Sequence, residues 1–365
     1  MKHRVFKFVG LGIGSLIGVI VFAIAGATAY RAYCQQQNGN ALKIQTRNGI
    51  DESMFVSIGG LNQWLQIRGE DQANPIILFL HGGPALSMIP FTYRTMRPWE
   101  KDFTIVHWDQ RGAGRTYLLN GGADETARGM NQIIEDGIEV TDFLRSHLHA
   151  DKIILVGESF GSTVGLEMTR RRPDLFYAYV GTGQTIDSVQ AQVLTYGLLL
   201  DRVRLQQDEI AVKRLTIIGA PPYADAALRI EEQRILGDHP AKSEHVGMFA
   251  GMSGDYMVAP GYSLRDSYRM IAIATKHRSK LAQENLQYKA ASFGRQFAVP
   301  LFFFQGTDDI QAPSNLVTDF LKEISAPQKE LVLLSGGGHN AYYFLSARFL
   351  EELNVRVRPL AQRSQ

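Results

Sequence analysis

A mostly parallel α/β sheet, covered by helices on both faces and interrupted by an inserted helical cap, is the fold class this sequence predicts. Three observations predict it. First, short apolar runs such as Ile76–Leu80, Phe103–Trp108 and Ile153–Val156 alternate with segments of helical period such as Gln132–Leu148 and Gly161–Arg171. Strands buried on both faces read as unbroken apolar runs, and their alternation with helices is the pattern of a parallel sheet. Second, these runs end in turn-forming residues that also carry chemistry, as at His81-Gly82-Gly83-Pro84 and Asp109-Gln110-Arg111-Gly112. Third, from Gln184 to about Arg295 the chain turns long, polar and helix-favouring, without a strand. An insertion there is expected to cover the carboxyl ends of the strands, where open α/β sheets bind ligands.

Composition narrows the reading. The 365 residues are 45% hydrophobic and 20% charged, which excludes disorder and is enough to bury a sizeable core. Cys34 is the single cysteine, excluding an internal disulfide and any multi-thiolate metal site. With 38 basic and 36 acidic residues the net charge is +2, no field for gripping nucleic acid. Lys2, Arg4 and Lys7 are basic residues in a stretch (1–30) that holds no acid, so the remainder of the chain is slightly acidic.

Taken in order, residues 1–34 read as a signal anchor or signal peptide. Phe8 to Tyr30 is uncharged, long enough for the ~20 residues that cross a bilayer as a helix. A removable signal has a shorter apolar region of roughly 7–15 residues. Ala27-Thr28-Ala29 would serve as its cleavage site, so secretion after cleavage is the alternative. Arg31 and Tyr33 do not fit the residues that precede a lipidated cysteine. The basic end stays in the cytoplasm, which leaves the bulk of the chain extracytoplasmic, periplasmic or extracellular, with membrane contact through this helix. Residues 35–50, Asn/Gln-rich at the start, read as a tether. The core is expected over 51–183 and 296–365, with the cap over 184–295. Runs at Phe55–Ile58 and Trp64–Ile67 around Gly59-Gly60 suggest a hairpin. Tyr177–Val180, Leu301–Phe304 and Leu331–Leu334 complete the strands, with helices over Asn315–Ile324 and Tyr342–Leu353.

The chemistry gathers at strand ends. Ile153–Val156 runs into Gly157-Glu158-Ser159-Phe160-Gly161 and then directly into a helix. That context makes the G-x-S-x-G match a nucleophile elbow, a sharp turn that lifts the serine oxygen clear of the sheet. A serine hydroxyl attacks only when a base takes its proton and a third group orients the base. In the order Ser, acid, His, Leu301–Phe304 leads to Asp308-Asp309, and Leu331–Leu334 leads to Gly336–His339. His339 is the base among nine histidines; His81 belongs to a glycine loop and His107 lies inside its strand. Asp309, followed by Pro313, is the chosen acid and Asp308 the fallback. The oxyanion hole is assigned to the backbone N–H of Phe160 and of Gly83.

Together, His81–Pro84, Asp109–Thr116, Gly157–Ser162, Gly306-x-x-Asp309-x-x-x-Pro313 and Gly336–His339 resemble the prolyl iminopeptidase family of α/β-hydrolases over residues 50 to 355. The resemblance implies a serine hydrolase, without cofactor, that releases residues from peptide N-termini through Ser159, Asp309 and His339. It also implies cap glutamates for the substrate amine, for which Glu209, Glu231, Glu232 and Glu244 are candidates; each is otherwise a solvated helix-face acid. This chain departs from the family in Phe160 where Trp is usual, Ala113 where Cys is frequent, and a cap without Trp. An esterase or amidase on small acyl compounds is the alternative function, and a non-catalytic binding protein on the same scaffold the second. His147-x-His149-x-Asp151 has metal-ligand spacing, but Lys152 stands where the next histidine is needed, and no metal is expected. Arg170–Arg172 suits a helix C-terminus better than a nucleic acid.

Overall fold

The computed structural model describes residues 2–121, 129–223, 226–244, 254–276 and 280–362. Helix α1 (Lys2–Ala41) precedes a hairpin of β1 (Ile50–Ile58) and β2 (Leu61–Gly69). There follow β3 (Ile76–Leu80), α2 (Ile89–Thr95), β4 (Thr104–Asp109), α3 (Gly114–Asn120), α4 (Gly129–His147), β5 (Ile153–Glu158), α5 (Phe160–Arg171) and β6 (Phe176–Thr182). The inserted region carries α6 (Ser188–Leu205), α7 (Glu209–Ile218), α8 (Ala226–Asp238), α9 (Leu264–Lys276) and α10 (Lys280–Leu286). The chain closes with β7 (Leu301–Gly306), α11 (Ser314–Glu323), β8 (Lys329–Leu334), α12 (Ala341–Phe344), α13 (Ser346–Glu352) and α14 (Arg358–Gln362). Parts of the expected cap, residues 224–225, 245–253 and 277–279, lie outside the described residues.

The strands form one 8-stranded sheet in the order β1-β2-β4-β3-β5-β6-β7-β8. β1, β2 and β4 pair antiparallel, and every pairing from β4–β3 to β7–β8 is parallel. Alternate residues of one strand serve opposite cores. In β3, Leu78 and Leu80 face a cluster with Ile133, Val140, Val164 and Val317 from α4, α5 and α11. Ile77 and Phe79 face the other, with Phe91, Trp99, Tyr342 and Phe349. Burial on both faces is why these strands lack polar alternation. A third, smaller core of Leu199, Val203, Leu215 and Ile235 binds the cap helices to one another and to Ile310.

Two expectations need correction. The hairpin strands are longer than the apolar runs suggest, because pairing continues from Ile58↔Leu61 out to Ile50↔Gly69. The tether is not a tether at its start: residues 35–41 continue α1. Extending an existing helix adds one hydrogen bond per residue without a new nucleus. The polar side chains there find backbone partners, Gln35 on the carbonyls of Ala259 and Tyr262 and Asn38 on that of Val258.

The Arg111 guanidinium, 2% exposed, is clasped by the fully buried Asp136 of α4 at 2.8 and 3.1 Å. It also donates to the carbonyl of Gly59 in the hairpin turn. Gln63 and Gln132 donate to the same carboxylate, each at 2.8 Å. Asp136→Ala would leave a buried guanidinium unpaired, and is expected to cost about 3–5 kcal/mol of unfolding free energy. Urea denaturation of the two proteins measures it; a loss within about 0.5 kcal/mol, typical of a surface change, would show that the brace is dispensable.

Candidate active site

The end of β5 and the start of α5 leave no residues for a loop, so the turn between them is a single strained residue. Ser159 has φ 50° and ψ −116°, a region that non-glycine residues avoid. Its N–H donates to the carbonyl of Thr182 at the end of β6. Gly161 is obligatory for packing: a Cβ there would run into the carbonyls of Leu80 and His81. The elbow thus sits directly against the loop that follows β3.

Three side chains from three strand ends meet above it. The Ser159 Oγ lies 2.9 Å from His339 Nε2, and His339 Nδ1 lies 3.0 Å from Asp309 Oδ2. Asp309 is 5% exposed, and its other oxygen accepts from the N–H groups of Gln311 and Ala312 at 2.8 and 2.9 Å. A carboxylate held in that way faces Nδ1 as acceptor, so Nδ1 carries a proton, and in the neutral imidazole Nε2 is left to accept from the hydroxyl. Asp308, the fallback, turns elsewhere: its carboxylate accepts from Thr307 and its carbonyl from Arg202 of the cap.

Burial works against a charged His339, but the charge and hydrogen bond of Asp309 outweigh it, with Glu158 and Glu244 adding, and lift the imidazole to about 9. Glu158 escaped the sequence reading. It ends β5 immediately before Ser159, is 5% exposed, and accepts from the N–H of Gly82 at 2.8 Å. Its second oxygen lies 3.9 Å from His339 Nε2. The only signal in the sequence was an acid closing an otherwise apolar run. Desolvation pushes this carboxyl up to about 7, against the pull of His339.

A glutamate with that native value binds its proton more tightly folded than unfolded (near 4.3), so its contribution to stability falls as pH rises from about 4 to 7. Glu158→Gln is therefore expected to stabilise the fold by about 2 kcal/mol at pH 8 and by nothing measurable at pH 4. Denaturation at the two pH values checks this, and equal effects at both would sink it.

The two glycine-bearing motifs interlock. His81, held near 4 by burial, is neutral. Its Nδ1 donates to the Gly82 carbonyl at 2.8 Å while Nε2 accepts from the N–H of Gln110 at 3.3 Å. Gln110 returns a bond to the carbonyl of His81 at 3.1 Å. Asp109 accepts from the N–H of Arg115 at 2.7 Å, and the Arg115 guanidinium lies over the rings of Trp64 and Tyr262. The Asp109–Thr116 motif is thus a set of braces behind the His81–Pro84 loop.

The four candidate glutamates separate. Glu209 is exposed in the first turn of α7, and Glu231 pairs with Arg214 and Arg234. Glu232 and Glu244 contradict the expectation of solvated acids, being 0% and 6% exposed. Glu232 stands beside Tyr223 and Arg229 of the cap. Glu244 comes down to the relay, accepting from the Asn340 N–H at 3.0 Å against Gly338. Burial raises its carboxyl. The residues of the two remaining motifs are paired within the fold: His147 with Glu52 at 2.7 Å and stacked on Phe143, and Arg170, Arg171 and Arg172 with Glu167, Glu135 and Asp174. A cavity of about 200 Å³ beneath the end of α1, lined by Gly39, Arg68, Glu100 and His107, contains none of the relay residues.

Fold and strand-end chemistry together define a hydrolase of α/β architecture. Residues 75–344 match the α/β-hydrolase fold family, to which the chain belongs. Within it the chain is prolyl iminopeptidase-like. It is 28% identical over 309 residues to a probable aminopeptidase of Bacillus subtilis, across 83% of this chain and 95% of that one. A probable proline iminopeptidase of Streptomyces coelicolor is 30% identical over 149 residues, 40% of this chain and 45% of that one. Among solved structures, the proline iminopeptidase of Mycobacterium smegmatis superposes with a TM-score of 0.59 over 86% of this chain and all (100%) of that one, at 15% identity. A bacterial membrane phospholipase A gives 0.61 over 94% and 98%, at 14% identity. Likenesses at that identity establish the fold.

Proposed function

We propose that this chain is a serine aminopeptidase of the proline iminopeptidase type, acting on short peptides and anchored to a membrane by α1. The observation that carries the reading is the relay of Ser159, His339 and Asp309 through two hydrogen bonds of 2.9 and 3.0 Å. His339 takes the Ser159 proton as Oγ attacks the scissile carbonyl, and the imidazolium so formed is balanced by Asp309. The tetrahedral oxyanion is received by the N–H of Phe160 at the positive end of α5 and by that of Gly83. Gly82 N–H is committed to Glu158, which favours Gly83 over Gly82 as the second donor. His339 then gives its proton to the departing amine, and water repeats the cycle on the acyl-enzyme. The likeness to aminopeptidases supports peptide N-termini as substrates.

Pro- and Ala-arylamides assayed beside nitrophenyl esters test the reading on the full chain. Arylamide turnover is the expected result. Turnover of esters alone would replace the peptidase by an esterase, and absence of both, without fluorophosphonate labelling, would overturn catalysis.

For the substrate ammonium, Glu244 is the candidate, because of the four it alone reaches the relay. Glu244→Gln is expected to raise KM for arylamides by about tenfold, the loss of one charge-assisted hydrogen bond, and to leave ester KM within twofold or so. An equal change for both substrates would remove it from amine recognition. The anchor is supported by the uncharged stretch from Phe8 to Tyr30 behind Lys2, Arg4 and Lys7, which orients the hydrolase domain to the extracytoplasmic side.

A further inference from the structure

Every residue of α1 from Ile17 to Tyr30 is exposed, and the pattern changes at Arg31. From there Arg31, Cys34, Gln35, Asn38 and Gly39 are half-buried, a spacing of three and four that marks one docked helix face. The contacts are polar. Arg31 donates to the carbonyls of Met257 at 2.8 Å and Tyr262 at 2.7 Å. Gln35 reaches those of Ala259 and Tyr262, and Asn38 that of Val258. Arg94 joins Asn38 to Asp255 at 2.8 and 2.9 Å. The backbone of residues 255–262 is thereby wrapped against the helix.

The helix therefore leaves the body of the protein at the residue where its uncharged stretch ends, with no spacer between the two. If Tyr30 is the last residue at the edge of the hydrocarbon, Arg31 lies among the headgroups, and the segment it grips lies there too. That segment exposes Met257 (44%) and leads in two residues to α9, whose Leu264 (46%) and Tyr268 (74%) are also exposed. Leu264, Tyr268 and Ile271 share one face of α9, while Ser267, Met270 and Ile273 of the opposite face are buried. Arg265 and Arg269 flank the stripe. Apolar and aromatic residues with basic neighbours are the composition of a helix lying at a lipid interface.

We propose that the face bearing Met257, Leu264 and Tyr268 rests on the bilayer that α1 crosses, so that the hydrolase domain is held flush against the membrane in one orientation instead of swinging on a tether. The proposal rests on the reading of α1 as an uncleaved anchor. The test uses the full chain with Cys34→Ser, reconstituted in vesicles of phosphatidylethanolamine and phosphatidylglycerol. Nitroxide labels are placed singly at Ile20→Cys, Tyr268→Cys and Leu333→Cys, all exposed positions. Leu333 lies on β8, six strands from β2, about 29 Å away at the usual strand spacing. Collision with oxygen is compared with collision with a water-soluble nickel chelate. Labels at 20 and 268 are expected to favour oxygen, and the label at 333 the chelate. A lipid-buried label at 20 with a water-exposed one at 268 overturns the docked face and leaves the anchor standing. A label at 333 that also favours oxygen overturns the single orientation. A water-exposed label at 20 overturns the anchor, and the docked face with it.

Discussion

Ser159→Ala is expected to lower kcat by about 10⁴-fold or more, whichever acyl substrate is turned over. The oxygen removed lies 2.9 Å from His339 Nε2 and is the atom that makes the attack in the proposed mechanism. Water cannot simply replace it, because the elbow spends backbone strain (φ 50°) to place that oxygen alone above the sheet. Alanine keeps the Cβ and leaves the N–H bond to Thr182 untouched, so the fold should survive with a melting temperature within a few degrees, as for ordinary mild substitutions. The residual rate, roughly 10³–10⁴ above solution, belongs to the oxyanion donors and substrate positioning. Steady-state turnover, fluorophosphonate labelling and a thermal scan measure the three quantities. A variant that folds and still turns over within tenfold or so of the parent would remove Ser159 from the mechanism.

The sheet and the relay were legible in the sequence because both are local statements. An apolar run of four residues ending in Gly-x-Ser-x-Gly fixes strand, turn and helix within a dozen positions, and Asp309 and His339 each follow such a run. What escaped was set by contacts remote in the chain. Glu158 is buried against the loop after β3, whose Gly82 N–H donates to its carboxyl group, and nothing near position 158 announces that partner. Glu244 looks like any solvated acid until Asn340 is brought to it by the fold. Gln35–Asn40 has the composition of a tether, yet the carbonyls it needs are supplied by residues 258–262. Composition records which groups need partners; only the assembled fold records whether they have them. The same holds for Asp109–Thr116, whose specificity as a motif reflects braces to Asp136, His81 and Tyr262.

Asp309→Asn should show two effects with different pH dependences, which separates its role from that of a general structural residue. With the carboxylate present His339 titrates near 9. The base must be neutral to take the Ser159 proton, so kcat/KM of the parent is expected to climb with pH towards a plateau above that value. The asparagine removes both the charge and the hydrogen bond that lift the imidazole, while burial, which lowers it, remains. The acid limb is therefore expected to move down by about 2 units, an estimate from the loss of one buried charge partner. Activity on the plateau should nevertheless drop by about 10⁴-fold, since an amide can hold the ring in the tautomer that presents a proton, not a lone pair, to Ser159. Stability follows the opposite course. A histidine whose native value lies above its unfolded 6.5 contributes fully below pH 6.5, and that contribution disappears as pH rises through 9. Asp309→Asn should then cost about 2–3 kcal/mol at pH 6 and much less at pH 10. Rate profiles and denaturation across that range provide the measurement. A lower plateau with an unmoved acid limb would mean that Asp309 orients His339 without charging it.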